Sequence, residues 1–104
     1  MVFIETSVFT SEINKLLPDE EYRRLQSALM LRPHMGEIIK GSGGLRKMRW
    51  KLPAEGKRGG LRLIYYWASP ETIFMLFPYR KSAQDDLTPR QLKALKALMK
   101  EWFS

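Results

Sequence analysis

Two apolar runs, Leu61 to Ala68 and Thr72 to Phe77, follow one another with only Ser69, Pro70 and Glu71 between them. Short runs rich in aromatic and β-branched residues read as strands, and so brief a connection makes them neighbours in a sheet. The second run is apolar throughout, so it predicts a central strand covered on both faces. Pro78 lacks a backbone donor and is predicted to end that strand's pairing. A chain containing this pair must supply cover for each face of the sheet.

The rest of the sequence offers that cover. Phe9, Ile13, Leu16 and Leu17 recur at the spacing of one buried helical face, and the run stops at Pro18. Pro18, Asp19, Glu20 and Glu21 place a tolerated proline and three carboxylates at the start of a second helix, where negative charge meets the positive end of the dipole. Tyr22, Leu25 and Leu29 form its apolar face, and it ends near Pro33. Thr88, Pro89 and Gln91 have the form of a capping box, followed by the stripe Leu92, Leu95, Leu98, Met99 and Trp102. This predicts a terminal helix.

Val2 to Thr6 reads as a first strand inside the sheet, and the glycine-dense stretch Met35 to Gly44 as a connecting loop. From Leu45 to Leu52 the period is two, with Met48, Trp50 and Leu52 on one face and Lys47, Arg49 and Lys51 on the other. Pro53 to Gly60 is a turn-rich basic loop. The predicted order is β-α-α-β-β-β-α, an α+β architecture with helices against an antiparallel sheet. With 104 residues and 44% hydrophobic content, residues 1–104 are expected to form a single domain around one core.

Charge is distributed unevenly. Lys40 to Arg62 holds 8 of the 18 Lys and Arg residues with one acid, Glu55, and so sums to +7, while the remaining 10 bases and 10 acids cancel. A local positive field of this kind concentrates a polyanion at one place. There is no cysteine and one histidine, His34, so thiol chemistry is excluded and neither a metal nor a cofactor is expected. The N-terminus shows no basic region before an apolar run, and no apolar stretch approaches the ~18 residues of a membrane span. A cytoplasmic location without membrane partners is the expectation.

The candidate site combines Lys47, Arg49 and Lys51 with Lys57 and Arg58 of the basic loop, Arg62 at the next strand, and Arg80 and Lys81 beyond the last. Neighbouring strands lie ~4.8 Å apart, which allows these groups to converge on one sheet face. Tyr65, Tyr66, Trp67 and Tyr79 are placed to stack on bases. Convergent cations stabilise the charge that develops on a phosphorane when RNA is cut by its own 2′-hydroxyl, with Lys47, Lys51, Lys57 or Lys81 as the base. The plain alternatives are a solvated charged face and core aromatics. His34 reads as a surface loop residue, and Asp85 and Asp86 as structural groups before a capped helix.

Gly43-Gly44-Leu45-Arg46-Lys47-Met48-Arg49, Gly56-Lys57-Arg58-Gly59-Gly60-Leu61-Arg62-Leu63-Ile64-Tyr65-Tyr66, Tyr79-Arg80-Lys81 and Asp86-Leu87-Thr88 together form a familiar pattern. The chain resembles the RelE superfamily of toxins from bacterial toxin–antitoxin modules, in its HigB-like branch. The resemblance implies a RelE-like microbial RNase fold and a metal-independent endoribonuclease, a ribosome-dependent mRNA interferase that cuts messages in the ribosomal A site beside ribosomal RNA. It also implies cleft cations at Lys47, Arg49 or Lys51, at Arg62 and at Lys81, and a neutralising antitoxin with a helix-turn-helix domain; Lys47, Arg49, Arg62 and Lys81 are the expected catalytic cations, and Lys51, Lys57, Arg58, Tyr79 and Arg80 the expected RNA-binding groups. The alternative is a non-catalytic RNA-binding or antitoxin-binding protein of the same fold.

Overall fold

The computed structural model describes residues 1–52 and 60–103. The predicted loop Pro53 to Gly60 therefore lies outside the described residues, except for Gly60. The elements are β1 (Val2–Glu5), α1 (Ser7–Leu16), α2 (Asp19–Leu31), β2 (Glu37–Ile38), β3 (Arg46–Trp50), β4 (Leu61–Ser69), β5 (Thr72–Arg80) and α3 (Pro89–Phe103). They form an α+β structure with one sheet in the order β1-β5-β4-β3-β2.

Four features depart from the expectation. The sheet is mixed, because β1 runs parallel to β5 while the other pairs are antiparallel. β1 leads into a helix rather than a hairpin, so no short turn dictates its direction. It also lies at the sheet edge, not inside, with Val2 and Ile4 exposed and Phe3 packed against the core. The predicted loop at Met35 to Gly44 contains the two-residue strand β2, which pairs with Lys47 and Arg46. Gly41, Gly43 and Gly44, all at positive φ, turn the chain back into β3.

Pro78 does not end β5, which continues to Arg80 with Pro78 opposite Leu63. β1 covers only Thr72 to Met75, so beyond Met75 that side of β5 is an edge where a missing N–H breaks no ladder. One irregularity precedes it. Ile64 pairs with Phe77 and Tyr65 with Met75, which leaves Leu76 as an extra residue, a β-bulge.

The two faces of the sheet carry separate clusters. α1 and α2 close one, with Phe9, Ile13, Leu25 and Leu29 against Met48, Leu63, Tyr65 and Met75. α3 closes the other, with Met99, Leu92 and Leu95 over Leu45, Ile64, Leu76 and Tyr79. The helix starts follow their caps. Thr6 Oγ1 accepts from Phe9 N at 2.9 Å and donates to Leu76 O at 2.8 Å. Thr88 Oγ1 accepts from Gln91 N at 3.1 Å while Gln91 Oε1 accepts from Thr88 N at 3.0 Å, the reciprocal pair expected from the sequence.

Tyr65 anchors the segment between α2 and β2. Its buried Oη donates to Pro33 O at 2.7 Å and accepts from Gly36 N at 2.8 Å. A Cβ on Gly36 would stand 2.7 Å from the tyrosine ring, so only glycine admits this approach. Among the described residues no helix is long and apolar enough to cross a membrane.

Candidate active site

Alternation along β3 sends Met48 into the α1/α2 side and Lys47 and Arg49 to the α3 side. Cross-strand register then decides their company. Lys47 lies opposite Ile64 on β4 and Glu37 on β2, Arg49 lies opposite Arg62, and Arg62 lies opposite Tyr79 on β5. Lys81 extends the Tyr79 side of β5 by two residues, its backbone N donating to Gly60 O at 3.2 Å. Lys47, Arg49, Arg62 and Lys81 line one hollow of about 460 Å³, together with Met35, Glu37, Asp85 and Asp86. Four cations from three strands thus share one cavity.

Their environments differ. Arg62 is only 8% exposed, flanked in sequence by the fully buried Leu61 and Leu63. It belongs to none of the ion pairs among the described residues. A desolvated guanidinium without a carboxylate is costly, and the cost falls when an outside anion supplies the missing charge. Gly60 makes room for it, since a Cβ there would stand 2.8 Å from Arg62 Nη1. Arg49 and Lys81 are exposed at the rim.

Lys47 is held from across the hollow. Its Nζ lies 2.9 Å from Asp86 Oδ1, which also accepts from Leu87 N at 2.8 Å. The hydrogen bonds from Lys47 and Leu87 keep the Asp86 carboxyl below the usual aspartate range. The Tyr79 hydroxyl is buried beside the Asp86 carboxylate and, among the described residues, makes no hydrogen bond of ordinary geometry. Burial pushes its phenol up, nearby Asp86 adds to the rise, and Arg62 opposes it.

The remaining expected site residues lie elsewhere. Lys51 is exposed one residue past β3 and does not line the hollow. Arg80 falls on the opposite face, where its Nη2 donates to Leu16 O at 3.3 Å. Tyr79 is 5% exposed and stacks on Phe77, with ring centroids 5.8 Å apart, so its face is not open to a base. Tyr65 is a core residue, and Tyr66 and Trp67 are half-buried. Lys57 and Arg58 lie outside the described residues. His34 contributes a backbone carbonyl to Arg46. The sequence reading left Glu37 and Asp86 out of the site; the two-residue strand carrying Glu37 has no periodic signal, whereas Asp86, two residues before a capping box, is traceable.

A second hollow of about 480 Å³, between Val8, Leu76, Phe77, Leu98 and Trp102, has no cation in its lining. Convergent positive charge therefore separates the first hollow from an ordinary surface depression. A family model described as the RelE toxin of the RelE/RelB toxin–antitoxin system matches residues 32–104. The match takes in β2 to α3, every element that lines the cationic hollow. Because it spans well over half of the chain, the protein belongs to the RelE toxin family and is a toxin of a toxin–antitoxin system.

Proposed function

We propose that this toxin is a ribosome-dependent endoribonuclease that cuts translated mRNA in the cytoplasm, without a metal, and that the cationic hollow is its active site. The supporting observation is the meeting of Lys47, Arg49, Arg62 and Lys81 around one cavity in which Arg62 is desolvated and has no ion-pair partner among the described residues. The substrate's 2′-oxygen attacks the adjacent phosphorus and the bond to the 5′-oxygen breaks, leaving a 2′,3′-cyclic phosphate and a 5′-hydroxyl. Arg62, Arg49 and Lys47 stabilise the charge gathered on the phosphorane, where fixed donors act most strongly. The proton lost by the 2′-hydroxyl and the proton gained by the 5′-oxygen pass through Lys81 or Lys57. Arg58 binds backbone phosphate or ribosomal RNA, and an antitoxin with a helix-turn-helix domain neutralises the toxin.

Primer extension on a message, with and without translating ribosomes, tests this reading. Wild-type protein is expected to leave cuts only when ribosomes are present, and Arg62→Ala is expected to leave none. Intact message with the folded wild type overturns the enzymatic reading in favour of a non-catalytic binder.

A further inference from the structure

Outside Lys40 to Arg62 the charges sum to zero, yet that balance hides a second concentration of cations. Within α3, Arg90, Lys93, Lys96 and Lys100 stand against Glu101 alone, and all four cations are exposed. Lys93, Lys96 and Lys100 are spaced by three and four residues, which puts them along one side of the helix over about 10 Å. Among the described residues none of the three has an ion-pair partner.

This side of α3 borders a groove of about 380 Å³ lined by Ser42, Gly43, Tyr66, Lys96, Lys100 and Phe103. Phe103 is 52% exposed, and its ring meets Tyr66 at 5.5 Å between centroids. Opposite lies the loop at residues 41–44, where a Cβ on Gly41 or Gly43 would meet nothing within 4 Å, so the backbone there is open to close approach. Leu45 also lines the groove, and Lys47, two residues on and pointing to the same face of the sheet, lines the cationic hollow. Two residues of strand span ~6.6 Å, so the groove and the hollow are consecutive along β3.

We infer that this groove holds the single-stranded RNA that flanks the phosphodiester in the hollow, with Lys96 and Lys100 on its phosphates and Phe103 against a base. The inference rests on the reading that the hollow receives RNA. Charge complementarity selects a polyanion, and an exposed aromatic beside evenly spaced cations is how single strands are held without sequence preference. Continuity with the hollow selects the same strand rather than a separate nucleic acid.

The test uses RNA made uncleavable by a 2′-deoxy substitution at the scissile position, in a short form that fills the hollow and a longer form extended at either end. Binding is followed by fluorescence anisotropy across a salt series. Each phosphate contact with a single strand contributes about 0.7 to the slope of log affinity against log salt. Lys96→Gln with Lys100→Gln is expected to lower that slope by about 1.4 on the longer RNA, from two contacts at 0.7 each, and to leave the short RNA unchanged. Lys96→Arg with Lys100→Arg is expected to retain the wild-type slope.

An unchanged slope on the longer RNA in the glutamine variant overturns the inference, as does a variant that loses only its affinity for an acidic protein partner. Because the probe cannot be cut, the two readings separate. A protein that shows the expected slopes but never cleaves a message loses the catalytic reading alone, and one that cleaves with unchanged slopes loses only the groove.

Discussion

Arg49 and Arg62 face one another directly across β3 and β4. Like charges at such paired positions oppose folding by roughly 0.2–1 kcal/mol, so the sheet carries a repulsion that a bound anion relieves. Arg49→Thr, which keeps a β-branched strand former at the position, is expected to raise the unfolding free energy by about 0.5 kcal/mol while lowering RNA affinity and cleavage. Urea unfolding beside RNA binding measures both, and stability and function must move in opposite directions.

The close contact of Gly60 with Arg62 Nη1 gives a second expectation. A methyl group there displaces the tip of a flexible side chain rather than backbone, so Gly60→Ala should fold normally. Misplacing a catalytic group by ~1 Å can cost on the order of 10²-fold in rate. Cleavage is expected to fall by about that factor, with an unchanged circular dichroism spectrum and melting temperature within a few degrees of wild type.

Asp86 sets a pH dependence. Its carboxyl is held below the ordinary aspartate range by the hydrogen bonds from Lys47 and Leu87, so its contribution to stability is fully present above the unfolded value of 3.8 and is lost as pH falls through the lower folded value. Exposure of the pair keeps that contribution small. Asp86→Asn removes the charge opposite Lys47, and the stability gap between it and wild type should be greatest near pH 7 and close below pH 3.8. At neutral pH the same variant is expected to bind RNA about two- to fivefold more tightly, because a carboxylate no longer competes for Lys47.

Two buried tyrosines should respond oppositely to loss of their hydroxyls. Tyr65→Phe strands the partly buried Pro33 O and the buried Gly36 N, and two unsatisfied backbone groups should lower the unfolding free energy by about 2 kcal/mol. Tyr79→Phe removes a buried hydroxyl that, among the described residues, makes no hydrogen bond of ordinary geometry and only stands beside Asp86, so stability should hold or rise slightly. Chemical denaturation of the two variants side by side is the measurement.

Local chemistry made much of this legible in the sequence. The capping box at Thr88, the helical stripe at Phe9 and Ile13, and the period of two from Lys47 to Trp50 each encode a structure within a few residues, and each appears as expected. Partner choice between distant segments is not encoded locally, so the parallel pairing of β1 with β5 and the brief β2 strand had no signal to read. Pro78 misled because the length of a neighbouring strand, not the proline itself, decides whether an absent donor matters. Arg80 and Lys81, adjacent in sequence, divide between the two faces by alternation, and only the register shows which of them joins Arg62.

That register turns on the bulge at Leu76. If Leu76 paired opposite Ile64 in regular register instead, Tyr79 and Lys81 would project toward α1 and α2, and Arg80 would take their place beneath α3. The bulge thus absorbs one surplus residue between Met75 and Phe77, and a chain lacking Leu76 would keep Tyr79 and Lys81 on the α3 side by regular pairing. Natural variation in length is expected there as a single residue gained or lost at the bulge.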